Sequence, residues 1–135
     1  MEKKSACLPA RLSRWGTRRR LTDGEALLAL EDWRRALEIP LPVRLERVRR
    51  EQVSDHRGRR GCSLVGVVTY AEEGCIYHTR ALMAEDLVHE LLHIRRPDWS
   101  EQQVVDETDR LLREVRRPVR RQSRRMPAGA GPTAS

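Results

Sequence analysis

Residues 80–96 constrain this chain more than any other stretch. Wound as a helix at about 100° per residue, Ala81, Met83, Ala84, Leu87, Val88, Leu91, Leu92 and Ile94 cover more than half the circumference. A helix that apolar must be buried over most of its surface, so the fold has to wrap around it. What is left is one narrow polar stripe, carrying Asp86, His89, Glu90 and His93 beside Leu82 and Arg96. Such a stripe either meets water or lines a cleft. Two of the four histidines in the chain fall on it.

The other segments predict what surrounds that helix. Thr22-Asp23-Gly24-Glu25 fits a capping box, and Leu27, Leu28, Leu30, Trp33 and Leu37 follow at helical spacing until Ile39-Pro40-Leu41-Pro42 stops the helix. Val43 to Val48 alternates weakly, as a strand would. Residues 49–61 read as an exposed charged loop. Ser63 to Tyr70 is the best strand in the chain, and Ala71-Glu72-Glu73-Gly74 turns it back into Cys75-Ile76-Tyr77-His78. The apolar helix then runs from about Thr79 or Arg80 to Arg96, stopped by Pro97. Trp99 packs the turn after it. A last helix from about Ser100 carries Val104, Val105, Thr108, Leu111, Leu112 and Val115 on one face, and Pro118 closes it. The expected fold is α+β: an N-terminal helix, a small mostly antiparallel sheet, the apolar helix and one C-terminal helix. Residues 21–116 form the domain, 1–20 an irregular basic segment, and 117–135 an Arg-rich disordered tail.

The net charge of +7 suggests a nucleic-acid binder. Its distribution weakens that reading. From Leu21 to Leu112 thirteen arginines face eighteen carboxylates, a net of −5, while the flanks carry +12. The body is mildly acidic, and only the Arg-rich tails offer non-specific contact with nucleic acid. No apolar run approaches the ~20 residues of a membrane span, and the N-terminus has no apolar core of a secretory signal. Three cysteines without a CxxC pair fit reduced thiols in the cytoplasm. Cys62 and Cys75 flank a strand and are the one pair that could meet.

His89-Glu90-Leu91-Leu92-His93 is an HExxH sequence. Residues i and i+4 share a helix face, so both imidazoles can reach one Zn2+ ion at ~2.0–2.1 Å. Glu90 stands about 100° around the helix, beside the ion rather than on it. A carboxylate there can take a proton from zinc-bound water, which suits amide hydrolysis. A catalytic zinc needs a third protein ligand. Glu101 is the first candidate, in the centre of the face formed by Val104, Val105, Thr108 and Leu112, where a carboxylate is costly to bury without a positive partner. Glu107 and Asp98 follow, Asp106 points the wrong way, and His56 and His78 can arrive through the tertiary fold. Tyr77 and His78 are candidate donors to the oxyanion of a tetrahedral intermediate, and strand alternation sends one of them to the cleft.

The segment from Glu85 to Val105, EDLVHELLHIRRPDWSEQQVV, resembles the zincin metallopeptidases, and most closely the small gluzincins and SprT-like proteins. The hairpin from Ser63 to His78 resembles the zincin sheet, whose edge strand takes up a peptide as an added strand. Arg96 and Trp99 stand where the longer metzincin motif needs other residues. The resemblance implies a zinc peptidase acting on a peptide or protein substrate, with His89 and His93 as zinc ligands and Glu90 as general base. The alternatives are a zincin-fold metal-binding module without proteolysis, and a nucleic-acid-associated protein acting through its tails.

Overall fold

The computed structural model describes residues 8–49 and 65–130, with side chains up to residue 116. Its elements are a 3-10 helix (Ala10–Trp15), α1 (Asp23–Ala36), β1 (Val43–Arg47), β2 (Val65–Thr69), β3 (Gly74–His78), α2 (Ala84–Arg95) and α3 (Glu101–Ala130). The fold is α+β. No helix among the described residues is long and apolar enough to cross a membrane.

α1 begins at the expected capping box: Thr22 Oγ1 accepts from the Glu25 N–H at 3.1 Å, and Glu25 Oε1 accepts from the Thr22 N–H at 2.9 Å. Its far end is a Schellman turn. The Ile39 N–H donates to the Arg34 carbonyl and the Glu38 N–H to that of Arg35. Glu38 sits at the left-handed position with φ 59°, where glycine is usual. Glu38→Gly is expected to raise stability by about 0.5–1 kcal/mol, read as a higher urea midpoint at unchanged slope.

The three strands lie in the order β1-β3-β2. β2 and β3 pair antiparallel as expected, but β1 and β3 are parallel, so the sheet is evenly mixed rather than mostly antiparallel. The hairpin is fixed by a local turn, in which the Tyr70 N–H donates to the Glu73 carbonyl. The parallel direction of β1 involves no local turn to β3 and is not encoded in local alternation. Gly74, Ile76 and His78 share the inner face of β3. A Cβ on Gly74 would stand 2.9 Å from Ile94 Cδ1 of α2, so the strand and helix approach closely there.

α2 is the centre of the core, with Leu87, Val88 and Leu91 fully buried against Trp33, Ile76 and Val104. It starts at Ala84, later than expected, because the Asp86 carboxylate accepts from the Met83 N–H at 2.9 Å and begins the helix there. The preceding residues run extended, with the Leu21 N–H donating to the Leu82 carbonyl. Two further departures lie at the ends of the domain. The first twenty residues are not merely irregular: Leu12 and Trp15 of the 3-10 helix are buried, and Trp15 Nε1 donates to Asp32 at 2.9 Å. The α3 backbone runs past Pro118, its expected end, to Ala130. The arginines flanking Pro118 are good helix formers, which favours continuation against the hydrogen bond that proline removes.

Candidate metal centre

The turn from α2 into α3 decides which groups meet. The Trp99 N–H donates to the Arg96 carbonyl, and the Arg96 guanidinium lies 5.4 Å from the centre of the Trp99 ring. Ser100 Oγ accepts from the Gln103 N–H at 3.1 Å, while Gln103 Oε1 accepts from the Ser100 N–H at 2.8 Å. This reciprocal cap makes Glu101 the first residue of α3 and sets it opposite α2.

His89 and His93 stand one turn apart, their ring centres 4.9 Å apart and inclined at 66°. The Glu101 carboxylate stands between them, with Oε1 accepting from His93 Nε2 at 2.9 Å and Oε2 2.9 Å from His89 Nε2. One donor atom from each of the three residues lies within 4.8 Å of the others. Zinc bonds of ~2.0–2.1 Å at tetrahedral angles separate donors by roughly 3.3 Å, so the three donors, now within 4.8 Å of one another, reach one ion by side-chain adjustment with the helices in place. Two imidazole nitrogens and one carboxylate oxygen also form a common catalytic zinc set, with a fourth position left for water. The donor set therefore fits the ion. Glu101 is 66% exposed, so the triad is open to solvent. Its position is explained by reach toward two imidazoles, not by the burial inferred from the helix face.

Glu90 has a different environment. It is only 8% exposed, lines a cleft of about 240 Å³ beside His89, and makes no hydrogen bond among the described residues. Burial first, then the negative Glu101 and Asp86, pushes its carboxyl up to about 8. Asp86 is itself engaged, accepting from both Arg80 terminal nitrogens at 2.8 and 2.9 Å.

The raised value makes a prediction for the metal-free protein. Folding binds the Glu90 proton more tightly than the unfolded chain does, so its stabilising effect is full below about 4.5 and is lost as the pH climbs through about 8. Glu90→Gln removes the buried charge. In chelator, the variant should exceed the wild type at pH 8 by on the order of 2–4 kcal/mol and match it near pH 4. Urea unfolding at the two pH values reads the difference.

The remaining candidates lie elsewhere. Tyr77 is on the outer face of β3, over Gly66, where a Cβ would come within 3.1 Å of its ring. His78 faces inward but is buried, with Nδ1 against the Arg80 carbonyl at 2.8 Å. Neither is among the residues that line the cleft. Strand alternation separates the pair as expected, Tyr77 to the outer face and His78 to the inner one. Glu107 is bound to Arg110, Asp106 accepts from Gln102, and Asp98 is outside the cluster. His56, Cys7 and Cys62 lie outside the described residues, and Cys75 is a buried free thiol. Sequence reasoning missed Asp109, which lines the cleft. Its signal was the Glu101, Val105, Asp109 repeat, four residues apart on one helix face.

Comparisons with protein-family models, curated proteins and solved structures give no match in any of the three.

Proposed function

We propose that this protein is a zinc-dependent peptidase of minimal zincin-like architecture, with His89, His93 and Glu101 holding one ion and Glu90 moving the proton. The observation that carries this is a convergence. The α3 carboxylate meets both α2 imidazoles at 2.9 Å, while the buried, unpaired Glu90 lines the adjoining cleft. Zinc bound there supplies a Lewis acid that lowers the pKa of a water toward ~7 and polarises a carbonyl. Glu90 takes the proton from the attacking water and delivers it to the leaving amine. A poorly solvated carboxylate with no competing hydrogen bond suits that task. Among the described residues β2 is the antiparallel edge of the sheet and lies against α2, so an extended peptide added along it would pass the cleft. The free Cys75 thiol fits a cytoplasmic setting.

The test is hydrolysis of a fluorogenic peptide mixture by the zinc-loaded protein, stopped by chelator and restored by zinc. Zinc-loaded protein that cleaves nothing contradicts the proposal. The cleft size favours one second reading. At about 240 Å³ it is smaller than most ligand pockets. A zincin-like module whose metal serves only stability would bind zinc and cleave no peptide.

A further inference from the structure

The cleft has a direction. Glu101, Val105 and Asp109 follow one another along α3, which puts Asp109 about 12 Å from Glu101 along the axis. Across the gap, α2 runs back from His93 through His89 to Glu85. The space between them therefore leads from His89 and Glu90 to an end where Glu85 and Asp109 stand. Its side walls include Val65, from the start of β2, and Val105.

The charges along this path are unbalanced. Arg80 also lines the cleft, but both its terminal nitrogens are taken by Asp86. Among the described residues Asp109 makes no hydrogen bond or ion pair, and the one cation that acts on it is Arg18, which is hydrogen-bonded to Glu85 instead. Glu85 accepts from the Arg18 guanidinium at 3.2 Å on the surface, so this end of the cleft already attracts one guanidinium of the chain itself. Independently of these acids, Glu90, only 8% exposed, lies in the same cleft with no hydrogen-bond partner among the described residues. A neutral side chain entering here would desolvate Asp109 without compensation. A long basic side chain would lay its methylenes on Val65 and Val105 and bring its charged head to Asp109. The volume suits one such side chain.

We propose that this cleft receives a lysine or arginine side chain of the substrate, selected by Asp109; the inference rests on the zinc-peptidase reading of the adjoining triad. Basic peptides are then the substrate class, and Asp109 is a specificity-determining residue.

The test uses the zinc-loaded full chain and two fluorescent nonapeptides of alanine and serine, one with a central arginine and one with norleucine there. Anisotropy is read before measurable cleavage, and cleavage is then followed in the same samples. The arginine peptide should bind roughly tenfold more tightly, as a charge-assisted contact predicts, and the preference should shrink with added salt. Asp109→Asn should cut the preference to threefold or less, and Asp109→Lys should abolish it. Equal binding of the two peptides, or a preference that survives Asp109→Lys, overturns the inference. Cleavage without arginine preference leaves the peptidase reading standing and removes this one. Arginine preference without cleavage does the reverse.

Discussion

Glu90→Gln is expected to lower kcat by about a thousandfold while zinc stays bound. General bases contribute roughly 10²–10⁴ in rate, and the amide of glutamine cannot accept the proton. Zinc should be retained because Glu90 is not one of the three converging residues. Loss of folding is not a competing explanation, since removing a buried carboxylate relieves the burial that pushes its proton affinity up. The measurement pairs kcat on a fluorogenic peptide with zinc content on the same sample. Unchanged kcat with full zinc would remove Glu90 from the mechanism. Lost activity with lost zinc would instead move Glu90 into the metal site.

The second large effect concerns zinc and stability together. An ion bound only by the folded chain stabilises it by about 4 kcal/mol at a thousandfold excess over Kd. For a domain of this size that raises Tm by roughly 15–20 °C. His93→Ala should abolish the gain, because it removes one of two imidazoles that the carboxylate already joins. Glu101→Ala should leave a smaller gain, since two imidazoles remain on one helix face. Scans of wild type and both variants, in chelator and in zinc, read the differences. An equal rise in all three would place the ion elsewhere. Bound zinc also displaces protons from its ligands, so the gain should shrink in acid.

The parts of this molecule written in local patterns were legible in its sequence. The apolar circumference of residues 80–96 announced a central buried helix, and Leu87, Val88 and Leu91 are fully buried. The Thr22 capping box and the β2–β3 hairpin depend on neighbours in the chain and were legible for the same reason. Glu101 was chosen from the sequence for its place in an apolar face, whereas what brings it to the histidine pair is the Ser100–Gln103 cap at the start of α3. What depends on distant packing was not legible. The parallel pairing of β1, the burial of Leu12 and Trp15 within a basic segment, and the placing of Tyr77 on the outer face arise from the tertiary arrangement. The late start of α2 turned on one hydrogen bond, from the Met83 N–H to Asp86, which apolar periodicity does not carry.

The central claim is a single ion gripped by residues from two helices, and metal content tests it most directly. Protein passed through gel filtration after exposure to equimolar zinc should carry one ion per chain in the wild type and none in the His89→Ala/His93→Ala variant. A wild type that emerges free of zinc, or a double variant that keeps its full complement, would contradict the account.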